Sequence, residues 1–247
     1  MENSILKNKN CLITGATGGL GRALSIQFAK NGCNLFLTSQ NMSKLSSLEK
    51  DITEKFSGIS IKTHAANLTN PNEINQIIKN ARNSFQKIDI LINCAGILPI
   101  KFLEDCSVTD FDNCFNVNVR APIFLTKEFV KDMVSDKWGR IINIASSGAY
   151  NGQEKTTIYR ASKHALLGFS KAIHKEFHES NVRTFCISPG PIKSKMGELI
   201  TPHLNKNENY DTFIDPNEIA SFISHLASYD NEMFSEEIRL GRIIGEK

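Results

Sequence analysis

Seven short apolar runs recur along the chain: Asn10 to Thr14, Leu35 to Thr38, Ile59 to Thr63, Ile88 to Asn93, Arg140 to Ala145, Val182 to Ser188 and Glu237 to Arg242. Stretches of helix length lie between them, at about 19 to 31, 43 to 56, 71 to 86, 108 to 136, 156 to 179 and 216 to 228. Few architectures accept that alternation. Near-continuous apolar strands need both faces covered, and right-handed crossovers between parallel strands put helices on both sides of one sheet. The expected fold is a single α/β domain, a doubly wound parallel sheet of about seven strands. With 247 residues, 40% of them hydrophobic, the chain is large enough to bury the core of one such domain.

The first run feeds Thr14-Gly15-Ala16-Thr17-Gly18-Gly19-Leu20-Gly21 and then the helix-like Arg22 to Ala29. Gly15, Gly19 and Gly21 remove side chains that would hold a pyrophosphate away from the backbone. The first N–H groups of the following helix, with its dipole behind them, face the same point. The spacing is G-x-x-x-G-x-G rather than G-x-G-x-x-G, so the strand and helix context carries the inference of a dinucleotide site.

Charge and composition exclude several other classes. Twenty-nine basic against 26 acidic residues leave +3, without a dense basic run, which argues against a nucleic-acid partner. No stretch reaches the roughly 18 apolar residues of a membrane span, and the first ten residues lack the apolar core of a signal peptide. These features point to a cytoplasmic protein without a membrane partner. Cys11, Cys33, Cys94, Cys106, Cys114 and Cys186 form no C-x-x-C pair and sit mostly in apolar runs, so buried free thiols are expected rather than disulfides or zinc. His174 and His178 share a helical face, but Glu176 is displaced from the metalloprotease position, and the expectation is solvated surface histidines with no metal.

Tyr159 and Lys163 are four apart in a helix-like segment, Tyr159-Arg160-Ala161-Ser162-Lys163, so both leave one face. Such a pair alone means little. Ser146 follows the strand Ile141 to Ala145, thirteen residues before Tyr159, and Asn118 stands in Asn116-Val117-Asn118-Val119. Asn93-Cys94-Ala95-Gly96 ends the fourth strand and Pro189-Gly190 the sixth. In order, spacing and context these motifs resemble the short-chain dehydrogenase/reductase family from about residue 8 to about residue 228.

That resemblance implies a role for each matching position. Tyr159 would protonate a carbonyl oxygen during reduction and act as base in reverse. Lowering a phenol from about 10 to near 7 takes about 4 kcal/mol, which the Lys163 ammonium is expected to supply. Ser146, preferred to Ser147 on spacing, would donate to the carbonyl oxygen, and Asn118 would hold a water that relays protons to Lys163. Cofactor contacts are implied for Gly15, Thr17, Gly19, Leu20, Gly21, Ser39, Gln40, Asn67, Leu68, Asn93, Ala95, Gly96, Tyr159, Lys163, Pro189, Gly190, Ile192 and Ser194. A homodimer or homotetramer through the helices carrying Asn118 and Tyr159 is implied as well.

The end of the second strand bears on the choice of cofactor. Ser39 stands where NAD-preferring relatives carry Asp, and Gln40 where many NADP-preferring ones carry Arg; Gly18 replaces a frequent basic residue. Without an acid nothing repels a 2′-phosphate, and Ser39, Gln40, Asn41 and Ser43 offer neutral donors, so NADP(H) is expected over NAD(H). The polar segment from about 192 to 216 reads as a mobile substrate lid. Three functions fit: a ketone or secondary-alcohol oxidoreductase that resembles the 3-oxoacyl thioester reductases; an enzyme acting on a sugar or nucleotide-sugar, which Lys193, Lys195, His203 and Lys206 would suit; and a non-catalytic dinucleotide-binding sensor or scaffold. The segment Met233 to Arg242 lacks the glycine-rich ending common in the thioester reductases.

Overall fold

A computed structural model describes residues 5–203 and 210–242. Seven parallel strands form one sheet: β1 (Asn10–Thr14), β2 (Asn34–Ser39), β3 (Ile61–Ala65), β4 (Ile90–Asn93), β5 (Gly139–Ile144), β6 (Val182–Pro189) and β7 (Glu237–Leu240), in the order β3-β2-β1-β4-β5-β6-β7. Successive strand residues point to opposite faces, so β1 sends Cys11 and Ile13 to one apolar layer and Leu12 to the other. The first layer packs beneath α1 (Gly19–Lys30), α2 (Met42–Thr53) and α8 (Pro216–Ser228). The second packs beneath α3 (Pro71–Phe85), α5 (Ala121–Ser135) and α6 (Thr157–Phe177), with α4 (Val108–Phe115) leading into α5.

Helix starts follow local chemistry. Asn70 and Asp215 cap α3 and α8 through their side-chain oxygens, each just ahead of a proline whose missing N–H costs nothing in a first turn. Ser107 and Asp110 form a reciprocal capping box at α4. The expected helix 108 to 136 carries a π-helical turn, Asn116–Arg120, between α4 and α5. Such a turn inserts an extra residue and re-aims the side chains around it. β3 lies two residues later than the reading of Ile59 to Thr63.

The order reverses between β1 and β4, where the chain leaves β1 for one side of the sheet and later returns on the other. Ligands of doubly wound sheets sit at that switch point, beyond the strands' carboxyl ends. Here Thr14 Oγ1 accepts from the backbone N–H groups of both Cys94 and Ala95, at 3.1 Å each, and ties the ends of β1 and β4 together.

Among its described residues, the segment from 192 to 216 contains a short α-helix, α7 (Lys195–Ile200), and 3-10 turns at Thr201–His203 and Tyr210–Thr212, and it is pinned at its base by a parallel bridge between Ile192 and Ile214. Lys206, one of its expected cations, lies outside the described residues. No helix among the described residues is long and apolar enough to cross a membrane.

Candidate active site

The glycine turn is shaped by contacts that exclude side chains. Gly15 has φ +66°, and a Cβ there would lie 2.8 Å from the Cα of Ala95, across the switch point. At Gly21 it would lie 2.1 Å from the Gly15 carbonyl oxygen, and at Gly19, 2.8 Å from the Cβ of Ser194. These approaches are far inside van der Waals contact, so the cradle exists only with glycine at these positions. A backbone-lined hollow at the start of α1 fits a pyrophosphate.

The cradle opens into a cleft of about 720 Å³. Of the expected residues, Gly15, Thr17, Gly19, Leu20, Gly21, Ser39, Gln40, Leu68, Ala95, Gly96, Ser146, Tyr159, Lys163, Pro189, Gly190, Ile192 and Ser194 all line it. Ser39 and Thr17 share a hydrogen bond of 2.6 Å, and Gln40 donates to the Asn67 side-chain oxygen at 2.9 Å.

Three expected residues lie off the cleft wall. The Asn93 side chain is buried within the sheet and donates to Asn143 at 2.8 Å. The Asn67 oxygen is taken up by Gln40 and by both the N–H and the hydroxyl of Thr69. Asn118, fully buried in the π-turn, accepts from Ile97 N at 2.9 Å and donates to Ile97 O at 3.0 Å and Ser162 Oγ at 2.9 Å. Its carboxamide is committed to protein groups and holds the chain that follows β4. It still adjoins the site, since a Cβ on Gly96 would sit 3.5 Å from Asn118 Oδ1 and 3.6 Å from Lys163 Nζ.

Tyr159 and Lys163 come together as their spacing implies, with Lys163 Nζ 5.7 Å from the Tyr159 ring centroid. Lys163 is buried and donates to the Ile144 carbonyl at 2.8 Å; burial brings its ammonium down to about 8. The Tyr159 phenol is shifted upward. Burial raises it more than the Ser146 hydrogen bond and the Arg160 charge lower it, with the Cys114 thiol adding to the rise. Ser146 and Arg160 are the groups that pull the phenol down, and removing a phenolate from water outweighs what they return. Ser146 Oγ accepts from Gly148 N at 3.0 Å and reaches the phenol, whereas Ser147 is exposed.

Besides Lys163 and the expected Lys195, the cleft holds three cations to which the sequence assigned no role, Arg22, Lys44 and Arg160. Its walls carry Arg22, Lys44, Arg160, Lys163 and Lys195, and among the described residues no Asp or Glu. Lys44 sits in the first turn of α2, where its N–H donates to the Asn41 cap at 2.9 Å. It lies one position past the last neutral donor considered. Arg160 was in view between Tyr159 and Lys163 but had no assigned role. Among the thiols, all six are free, with Cys94 and Cys106 only partly buried and Cys94 on the cleft wall.

One expectation away from the cleft is also corrected. His174 is only 12% exposed at its side chain, because its ring stacks on Phe234 at 4.4 Å, and that burial shifts its pKa downward. His178 is exposed as expected.

A doubly wound parallel sheet with a glycine-built cradle at its switch point, opening into a cleft that carries tyrosine, lysine and serine, defines a dinucleotide-binding protein. The particular family follows from comparison. The chain belongs to the short chain dehydrogenase family, whose model matches residues 9–205, and it is an NAD(P)-dependent dehydrogenase or reductase. It is 31% identical over 227 residues to a 3-oxoacyl-[acyl-carrier-protein] reductase of Rickettsia bellii, covering 90% of each chain. It is 29% identical over 234 residues to the enzyme of that name from Aquifex aeolicus, covering 91% of this chain and 93% of the other. A metagenomic short-chain oxidoreductase solved in complex with NADP superimposes with a TM-score of 0.82 at 26% identity, covering 96% of this chain and 99% of that one.

Proposed function

We propose that the protein transfers a hydride between NADP(H) and a ketone or secondary alcohol, with Tyr159 as general acid and base. The observation that carries this reading is the single cleft joining the glycine cradle to Ser146, Tyr159 and Lys163. Bound there, the reduced nicotinamide supplies the hydride. Tyr159 gives its phenolic proton to the carbonyl oxygen while Ser146 donates a second hydrogen bond as charge develops there. Burial favours the protonated phenol, the form that donates in the reductive step. Lys163, adjoining both the tyrosine ring and Asn118, holds positive charge beside the phenolate that remains. Residues 192–216 act as the lid over this reaction, and Asn118 supports it by fixing the chain at Ile97.

A panel of ketones, with and without a thioester handle, followed by loss of reduced-cofactor absorbance, tests the reading. Turnover of one or more supports it. Tight cofactor binding with no turnover of any carbonyl would support a non-catalytic scaffold instead. The 3-oxoacyl thioester is the first substrate to try, given the named activity of the Rickettsia and Aquifex relatives. A homodimer or homotetramer fits the apolar side chains that α4 and α5 leave exposed, Val108, Phe111 and Phe124.

Preference for NADP(H) follows from the cations beyond Ser39. Arg22 is paired with Asp51 at 2.5 Å, whereas Lys44 has no carboxylate at ion-pair distance among the described residues and is the cation available to a 2′-phosphate. Lys44→Ala should weaken NADPH binding about tenfold, a loss of about 1.4 kcal/mol, while NADH affinity changes less than about twofold. Titration of both cofactors by fluorescence measures this, and a native preference for NADH would overturn it.

A further inference from the structure

Arg160 follows Tyr159 in α6 and is a half-buried cation with no carboxylate at ion-pair distance among the described residues. Its Nε donates to Thr156 Oγ1 at 2.8 Å, Nη1 to the Asn151 carbonyl at 2.8 Å and to the Asn151 side-chain oxygen, and Nη2 to Gln153 Oε1 at 2.5 Å. Every one of these acceptors is neutral. Burial lowers the pKa of the guanidinium, as expected of a charge partly removed from water without a counter-ion. Its stem packs beside the reacting phenol: a Cβ on Gly148 would lie 3.5 Å from both Arg160 Cγ and Tyr159 Cε1. The residue lines the main cleft and also a smaller hollow of about 490 Å³ beside it.

Gln153 connects this cation to the lid. While its oxygen accepts from Arg160, its Nε2 donates to the His203 carbonyl at 2.7 Å. Of the two side-chain amide acceptors around the guanidinium, Asn151 and Gln153, only Gln153 lines the main cleft, where a ligand can displace its rotatable, uncharged oxygen. A carboxylate or phosphate oxygen there makes a charge-assisted bond roughly twice as strong, and the planar fork suits either group. Lys195, at the start of α7, adds positive charge to the same cleft.

We infer that the physiological substrate is an anionic carbonyl compound whose carboxylate or phosphate docks on Arg160, replacing Gln153 Oε1, beside the carbonyl presented to Tyr159. This rests on the hydride-transfer reading and narrows its substrate class. The guanidinium serves as a specificity-determining residue, and a neutral substrate leaves it with its amide partner.

Pairs of compounds differing in charge test this: acetoacetate against methyl acetoacetate, and dihydroxyacetone phosphate against dihydroxyacetone. Both kcat/KM with NADPH and equilibrium binding by calorimetry are measured on the full-length protein, its Arg160→Gln variant and its Arg160→Lys variant. The wild type should favour the charged member of at least one pair by about tenfold or more, and which pair responds distinguishes carboxylate from phosphate. R160Q should bring that preference to within about twofold, mainly through KM, while R160K retains part of it. A residue that only clamps Asn151 and Gln153 would lower both members alike. Equal handling of both members of both pairs by the wild type, or a preference that survives R160Q, overturns the inference. Turnover without charge preference overturns the anion site alone. Charge-selective binding lost in R160Q, with no turnover of these compounds or of a wider ketone panel, supports the anion site and overturns the reductase reading.

Discussion

Phenylalanine in place of Tyr159 should lower kcat by about 1,000-fold or more while NADPH binding stays within about twofold, since positioned general acids contribute 10² to 10⁴ and this one has no substitute beside it. The change removes one oxygen and keeps the ring. The ring carbon against Gly148 and the ring face near Lys163 are preserved, so the cleft should keep its shape. Ser146 cannot take over, because its hydroxyl proton is far less acidic than a phenol's and its oxygen is already engaged by Gly148 N. Steady-state kinetics gives kcat and a fluorescence titration gives the cofactor dissociation constant. A variant that keeps more than a tenth of wild-type turnover would remove Tyr159 from the proposed chemistry.

Gly21→Ala should damage both stability and cofactor binding, although it adds a single carbon. The added methyl would lie 2.1 Å from the Gly15 oxygen, 2.8 Å from the Gly15 carbonyl carbon and 3.0 Å from Ala16 Cα. All three are backbone atoms, so no side chain can rotate out of the way. Either α1 shifts along its axis or the turn opens, and both destroy the cradle. Overpacking of this severity costs about 3 kcal/mol, which lowers Tm by roughly 10 °C in a domain of this size. NADPH affinity should fall by more than about 100-fold, equivalent to about 2.7 kcal/mol. Gly168→Ala is the control. A Cβ there meets nothing within 4 Å in the interior of α6, so this variant should gain roughly 0.5 to 1 kcal/mol by helix propensity. Thermal melts of both variants decide the matter, and equal Tm values would refute the steric account.

The fold was legible because its strands are buried on both faces and so appear as unbroken apolar runs. The misplaced start of β3 has the converse cause, since β3 is an edge strand with no fully buried residue and the apolar signal begins before it, at Ile59. The π-turn at Asn116–Arg120 left no trace in the apolar pattern, because one inserted residue is a small perturbation over a long helical stretch. The glycine turn, Tyr159 and Lys163 were readable from local spacing. What could not be read were properties that depend on distant neighbours: the stacking of His174 on Phe234, the burial that raises the Tyr159 phenol, and the lack of acid, among the described residues, on the cleft wall that carries Lys44 and Arg160. Proximity along the chain reports which groups are near, whereas solvent exclusion is set by elements far apart in sequence.

The pairing of Ile192 with Ile214 gives the chain a modular boundary. Lys193 donates to the Ile214 carbonyl at 3.0 Å and Ile214 to the Pro191 carbonyl at 2.9 Å, so the two ends of this segment are held side by side at its base. Stretches joined to a scaffold in this way tolerate replacement, because closing a loop of different length costs little once its ends are fixed. Exchanging residues 195–213 between homologues should thus alter which compounds are accepted, while the sheet, the glycine turn and the Ser194 that packs against it stay in place.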